Sequence, residues 1–140
     1  MLYLKSVMAM KLSKGAQQVY HILKKANLPF QLEYEFIDLV GKKKVPLRYD
    51  FAILSGGQPI ALIEYDGEAH FKQIKHFQAT SDKFKQSQER DRKKNQYALM
   101  HNIPLYRIPY WDLDKLNNLN DILQLKYRVK TKYHNDIIAP

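Results

Sequence analysis

The stretch "VPLRYDFAILSGGQPIALIEYDG", residues 45–67, decides the fold. Its first half alternates large apolar side chains with polar ones, which is the period of a strand with one face on a core. Its second half is apolar on both faces over residues 60–63, as a central strand covered on both sides would be. "SGGQ" between the halves supplies a turn. We therefore predict two adjacent antiparallel strands. On the first strand, Asp50 lies on one face and the large apolar residues lie on the other: Leu47, Tyr49, Phe51 and Ile53.

The flanking segments add further elements. "FQLEYEF", residues 30–36, alternates in the same way and predicts a preceding strand, so that three strands form an antiparallel meander. Ser13 can cap a helix over residues 14–26. We also predict a helix over residues 81–101, a fourth strand in "IPLYRIPYW" (103–111) and a helix over 112–126 with these inward residues: Leu113, Leu116, Leu119, Ile122 and Leu123. The expected fold class is α/β (α+β), a mixed sheet flanked by helices.

Length and composition indicate one domain. The chain has 140 residues, of which 45% are hydrophobic, enough for a substantial core. We divide it into an N-terminal arm (1–12), a core (13–111) and a C-terminal helix with a basic tail (112–140). Without cysteine there is no disulfide or thiol nucleophile, and a metal would need oxygen or imidazole ligands. The apolar opening is short and interrupted by Lys5, so we expect a cytoplasmic protein with no membrane partner.

The charge favours a polyanionic partner. The formal net charge is +9 and the isoelectric point is about 9.6. Residues 72–96 carry eight Lys/Arg against three Asp/Glu, which is more than half of the excess. Nucleic acid is the commonest such partner, although a basic surface also suits anionic lipid or simply keeps a protein in solution.

An acidic cluster ends the buried strand. Glu64 and Asp66 are two apart and point to the same side, and Asp50 on the neighbouring strand can be directed to the same spot. Three convergent carboxylates raise one another's pKa unless a cation lies between them. Mg²⁺ (or Mn²⁺) suits oxygen ligands and can activate water for phosphodiester hydrolysis. His70, four residues beyond Asp66, can accept the proton from that water.

One acid occupies an inward position on the long predicted helix. Phe84, Asp91 and Ala98 are seven apart and share a stripe, so Asp91 should face the core side. There it could orient His70 or join the outer shell of the metal. Taken singly, each acid could be merely solvated and the histidine merely structural. The combination favours a catalytic site.

Several strings resemble a known nuclease family. "SKGAQQVYHIL", "LRYDFAIL", "IALIEYDGEAHF" and "DRKKNQYALMHNIPLYRIPYW" are similar to small phage and bacterial nucleases of the PD-(D/E)XK superfamily. The nearest branch is that of the very-short-patch-repair endonuclease and of homing endonucleases with an E-D-x-H-D pattern. The resemblance covers residues 13–111 and implies a restriction-endonuclease-like core, a phage or bacterial source and Mg²⁺-dependent cleavage of nucleic acid.

The resemblance also implies roles for individual residues. Asp50 would be the principal metal ligand. Glu64 and Asp66 would fill the second acidic motif as metal ligands, with Asp66 where the superfamily commonly has lysine. His70 would be the general base and Asp91 the downstream acid of the pattern.

Ala16 departs from the family pattern. Similar nucleases generally carry a glutamate just after Ser-Lys-Gly, and Ala16 lies on the inward stripe of the first predicted helix, where a Glu could contribute to the metal site. Either this lineage has dispensed with that Glu or the chain is an inactivated variant. In the second case Ala16→Glu should raise cleavage.

Basic and aromatic residues near the acidic cluster are candidates for binding nucleic acid. The basic ones would contact phosphates without reading sequence, and two aromatic ones would stack on or wedge between bases. For any single residue the alternative is a solvated helix face or a place in the core. The candidates are Lys72, Lys75, Arg90, Lys93, Lys94, Phe71 and Phe77.

The sequence therefore predicts a Mg²⁺-dependent endonuclease that hydrolyses phosphodiester bonds in DNA, duplex or branched, by nicking or by recognising structure. Two alternatives stay open: a non-catalytic nucleic-acid-binding module of the same fold, and an RNA-cleaving nuclease. A long recognition site would need a homodimer or another partner, because the domain is small. No small organic cofactor is expected.

Overall fold

The fold is taken from a computed structural model that describes residues 12–71 and 80–136. Lys72, Lys75 and Phe77 lie outside these residues, as does the predicted N-terminal arm except for its last residue. Within the described ranges, no helix combines the length and the apolar character needed to cross a membrane.

Helix α1, Lys14–Ala26, begins and ends where the sequence predicts. Ser13 is its N-cap, and its Oγ accepts a hydrogen bond from the backbone N–H of Ala16 at 3.2 Å. Asn27 ends the helix in the left-handed conformation (φ 57°), which Asn tolerates better than most residues. The buried residues Val19 and Leu23 show that the predicted apolar stripe faces the core.

Four strands form one mixed sheet in the order β1-β2-β3-β4. Strands β1 (Phe30–Val40), β2 (Pro46–Ser55) and β3 (Gln58–Asp66) form the predicted antiparallel meander, and β4 (Leu105–Pro109) pairs with β3 in parallel. The sheet is thus confirmed as a meander plus one further strand. Burial on both faces of β3 is confirmed for residues 61–63 but is wrong for Ile60, which is 52% exposed.

Helix α2, Thr80–Met100, lies in the connection between β3 and β4, because parallel neighbours need a long crossover. It packs on one face of the sheet, where Ala98 joins Leu62 and Leu105 in a buried cluster. Helix α1 covers the other face, where Val19 and Leu23 pack with a second cluster. The molecule is therefore an α+β fold with a helix on each side of a mixed sheet.

Strand β2 changes face at Asp50. Leu47 and Tyr49 pack in the cluster on the α2 side, whereas Phe51 and Ile53 pack in the cluster on the α1 side. The prediction of a single apolar face through these four residues is therefore wrong. On the paired strand the backbone of Glu33 has a positive φ of 51°, so the ladder is locally twisted at this level.

The C-terminal segment is not the predicted continuous helix over 112–126. It contains a 3₁₀ segment at Tyr110–Lys115, the short helix α3 at Leu119–Ile122 and a second 3₁₀ segment at Leu125–Tyr127. Asn118 starts α3 with a capping box to Asp121, which interrupts any helix arriving from upstream. The predicted inward residues do contact the core, with Leu116 and Ile122 buried and Leu113, Leu119 and Leu123 packed against it.

Candidate functional site

Asp50 and Glu64 form the first part of the site. Phe51 pairs with Ile63, and continuing that antiparallel register by one residue sets Asp50 opposite Glu64. Their carboxyl groups lie within hydrogen-bonding reach of each other. Asp50 is half-buried, and its Oδ2 accepts a hydrogen bond from the backbone N–H of Tyr65 at 2.8 Å. Glu64 is only 3% exposed.

Lys94 of α2 supplies the positive charge at this corner. Its ammonium contacts Glu64 Oε1, a buried oxygen that accepts no directed hydrogen bond among the described residues. The Tyr49 hydroxyl donates to the backbone oxygen of Lys94 at 2.8 Å, and the ammonium lies 5.6 Å from the centre of the Tyr49 ring. The position of Lys94 is thus fixed by β2 as well as by Glu64.

Asp66 belongs to a second, fully hydrogen-bonded group. Its Oδ1 accepts from Arg107 Nη1 at 2.7 Å, and its Oδ2 accepts from Asn135 Nδ2 at 2.7 Å. Arg107 also donates from Nε to Asn95 Oδ1 at 2.7 Å and lies 3.4 Å from Asp91 Oδ1. All of these side chains are buried. Arg107 therefore joins β3, α2 and the C-terminal segment beneath the site.

His70 and Asp91 form a close pair. His70 Nδ1 lies 2.8 Å from Asp91 Oδ2 and 3.5 Å from Asp66 Oδ1. An ionised carboxylate can only accept, so Nδ1 carries a proton and Nε2 is the nitrogen through which the ring can exchange one. His70 follows the end of β3 in a 3₁₀ turn, Glu68–His70, while Asp91 projects from α2. The predicted inward position of Asp91 is confirmed, since it is 3% exposed and contacts His70; that it orients His70 for catalysis stays a prediction.

The two groups differ in their protonation. Burial, reinforced by the neighbouring Glu64 carboxylate, raises the pKa of Asp50 well above its usual value. Burial alone would raise the pKa of Glu64, but Lys94 and Arg107 outweigh it and the pKa is lowered. Burial would likewise lower the pKa of His70, but the bond to Asp91 outweighs it and the pKa is raised. Burial also raises the pKa of Asp66, although Arg107 opposes the shift.

The three predicted metal ligands do not meet at one point. Asp50 and Glu64 lie together, whereas both oxygens of Asp66 are taken by Arg107 and Asn135. Among the described residues, no three acidic or histidine side chains are grouped as a ready-made metal cage. The sequence could place Glu64 and Asp66 on one side of β3, but it could not reveal that an arginine from β4 would lie beside only one of them.

Ala16 lies on the α1 side of the sheet. It is buried in the cluster that contains Phe51 and Ile63, which confirms that it faces the core. Glu64 contacts α2 on the opposite side. Tyr65 links the start of α1 to Asp50, because its ring packs on Gly15 and its backbone N–H donates to the Asp50 carboxyl group. A Cβ added at Gly15 would lie 2.2 Å from the Tyr65 ring.

The candidate nucleic-acid contacts are divided by the fold. Arg90 and Lys93 are exposed on α2 and line a groove with Lys42 of the β1–β2 turn. Lys94 is turned inward to Glu64, with only 13% of its side chain exposed, so the structure moves it from the surface into the site. Phe71 is half-buried and packs on Trp111, with ring centres 4.7 Å apart.

Sequence reasoning missed several members of the site. Arg107, Asn95 and Asn135 lie within a strand, a helix and the basic tail, and no spacing rule joins them. Glu33 was also missed, and burial together with Glu64 raises its pKa. One usable signal was Arg107 itself, since an arginine inside an apolar strand needs a buried acid. Asn135 lies in the predicted basic tail, yet it is only 2% exposed.

In comparisons with known proteins, no family model, no curated protein and no solved structure matches this chain.

Proposed function

We propose that the protein is a metal-dependent nuclease with a restriction-endonuclease-like core that hydrolyses phosphodiester bonds in DNA. The observation that carries the proposal is the contact between two carboxyl groups, Asp50 and Glu64, beside a histidine–aspartate pair in a chain of net charge +9. Buried carboxyl groups in contact require a shared proton or a cation. A phosphodiester substrate also requires positive charge on the binding surface.

The donor set fits a magnesium ion. Mg²⁺ is usually held by one or two carboxylates together with water and substrate phosphate, so a cage of three protein ligands is not needed. Asp50 and Glu64 would hold it, with the ion taking the place of the Lys94 ammonium that contacts Glu64 Oε1. When bound, such an ion neutralises charge on the phosphate and lowers the pKa of a bound water.

The protein's own side chains perform the remaining steps. His70 accepts the proton of the attacking water through Nε2, while Asp91 holds the ring and stabilises its charged form. Arg107 lies 3.4 Å from Asp91 Oδ1 and 2.7 Å from Asp66 Oδ1, so it fixes the pair against β3. Arg90 and Lys93, exposed on α2, would contact the substrate backbone.

The test is cleavage of supercoiled plasmid and of a branched duplex with Mg²⁺. Wild-type protein should nick DNA, and Asp50→Asn should reduce the rate by at least ~100-fold, because one ligand becomes a neutral amide. The matched control is Asp38→Asn, an acid on the exposed part of β1 whose carboxylate accepts from Tyr97. Equal rates for wild type and Asp50→Asn would refute the proposed site. RNA offered beside DNA identifies the preferred substrate.

A second candidate function is a nucleic-acid-binding module without cleavage. It is favoured by Ala16 at the position of the expected glutamate and by the ion contact that Lys94 already makes with Glu64. This function predicts binding that weakens steeply with salt but no Mg²⁺-dependent nicking. Affinity that does not change between low and moderate salt would contradict both candidate functions.

A further inference from the structure

A second concavity opens beside the histidine–aspartate pair. It has a volume of about 470 Å³, within the range of pockets that hold small organic groups. Asp66 and Arg107 line its inner end, and Asp66 Oδ1 lies 3.5 Å from His70 Nδ1. The pocket therefore begins one side chain away from the proposed general base.

Aromatic rings make up much of its lining. Phe71 and Trp111 pack on each other with ring centres 4.7 Å apart, and Tyr127, Tyr133 and His134 contribute from the C-terminal segment. Tyr133 is 53% exposed, and the cations of Arg92 and Lys132 lie over its ring. Exposed aromatic faces around a concavity are suited to stacking on a flat ring, and every nucleobase offers one.

The acids that line this pocket already have partners. Asp66 accepts from Arg107 at 2.7 Å, and Asp112 accepts from Lys115 at 3.0 Å and from the Tyr127 hydroxyl at 2.9 Å. Neither Asp66 nor Asp112 therefore presents an unpaired negative charge to the pocket.

The rim, in contrast, is basic. The ammonium of Lys132 lies 5.1 Å from the centre of the Tyr133 ring. The guanidinium of Arg92 lies 5.5 Å from the same ring, but it is already paired with Asp136 at 2.6 Å. Lys126 is exposed and also lines the pocket. Stacking surfaces inside and cations at the mouth match a nucleotide, which combines a flat base with a phosphate.

We infer that this aromatic pocket holds an unstacked nucleobase of the polynucleotide, with the adjoining phosphate beside Lys126 at its mouth. The inference rests on the proposed function, since it concerns how the same substrate is held. It adds that the protein takes one base out of the stack, which favours single-stranded, branched or mismatched positions, where unstacking costs least.

Trp111 allows a direct test because it is the only tryptophan in the sequence. Its fluorescence would be measured during titration with a single-stranded DNA tetranucleotide, with EDTA present so that no cleavage occurs. The matched ligand is a tetranucleotide of the same length with every base removed, which keeps the phosphates and the sugars. We expect quenching by the first ligand and little or none by the second.

Variants locate the effect in the pocket. Tyr133→Ala should weaken binding of the tetranucleotide about tenfold, as loss of one base–aromatic stack does, and Tyr133→Phe should retain it. Met100→Ala is the control, because Met100 is 71% exposed at the end of α2 and does not line the pocket. Equal quenching by both ligands, no quenching by either, or an unchanged affinity of Tyr133→Ala would overturn the inference.

The result separates the two proposals. Base-dependent quenching in a protein that never nicks DNA would support the nucleobase pocket and refute the nuclease function. Nicking that depends on Asp50, without base-dependent quenching, would do the opposite.

Discussion

The two acidic groups on the α2 side of the sheet differ in how their charges are held. Around Asp66, Arg107 and Asn135 supply directed hydrogen bonds of 2.7 Å, and every member of the group is buried. Around Glu64, the compensation is an ion contact with Lys94, and the neighbouring Asp50 is half-buried with a raised pKa. Satisfied networks rigidify a protein, whereas an incompletely paired corner can accept a ligand. The first group is therefore expected to stabilise the fold, and the second is the site of the proposed chemistry.

The largest effect should come from removing the cation of the supporting group. Arg107→Met would leave Asp66 and Asp91 buried without their guanidinium partner, and we expect a loss of ~3–5 kcal/mol in the free energy of unfolding, measured by urea denaturation. The control is Arg48→Met, which removes an ion pair between half-exposed side chains of Arg48 and Glu35 and should cost at most ~1 kcal/mol. Equal losses would contradict the distinction between the groups.

Neutralising one acid in each group should have opposite effects on stability. Asp66→Asn places an amide against Arg107 and Asn135 and should cost ~1–3 kcal/mol at pH 7. Asp50→Asn keeps an oxygen for the Tyr65 N–H and removes a charge from beside Glu64, so stability should stay equal or rise.

The pH dependence of stability shows whether the charge of Asp50 stabilises or destabilises the folded protein. Because the pKa of Asp50 is raised in the folded protein, its ionisation opposes folding: this contribution is absent below about 3.8 and grows as pH rises through the folded pKa. Asp50→Asn should flatten that decline in urea titrations at several pH values. A steeper decline of stability in the variant would show that ionisation of Asp50 does not destabilise the folded protein.

The histidine–aspartate pair adjoins the Asp66 group and should determine the pH profile of the proposed cleavage. The pKa of His70 is raised above 6.5, so the rate should rise as pH passes through that higher value and His70 loses its proton. Asp91→Asn removes the negative charge that helps to raise the pKa of His70, so the midpoint should move to lower pH. An unmoved midpoint would mean that His70 is not the titrating base.

The smallest effect should come from the C-terminal segment. Asn135→Ala removes one donor to Asp66, leaves Arg107 in place and should cost ~1 kcal/mol in unfolding free energy. Asn120→Ala, a substitution within the short helix α3, is a control from the same part of the chain. A loss as large as that of Arg107→Met would mean that the segment, not the arginine, holds the site.

Most helices and strands could be predicted from the sequence because hydrophobic periodicity depends only on residues close together along the chain. The period of 3.6 gave α1 and the inward position of Asp91, and the period of two gave the three-stranded meander. The same method failed for the continuous helix over 112–126, because the capping box at Asn118 starts a new element that apolar spacing does not report. It also failed at Asp50, where a twist in the ladder exchanges the faces of β2.

By itself the sequence determined which acids lie on one side of β3, that His70 follows them closely and that Asp91 points inward, since each depends only on neighbours along one element. Only the tertiary structure decided which donor meets which carboxylate: Arg107 comes from β4, Lys94 from α2 and Asn135 from the last described residues. Those pairings bring together residues 30 to 69 positions apart. Desolvation and charge at a site depend on which elements pack there, and sequence spacing does not carry that information.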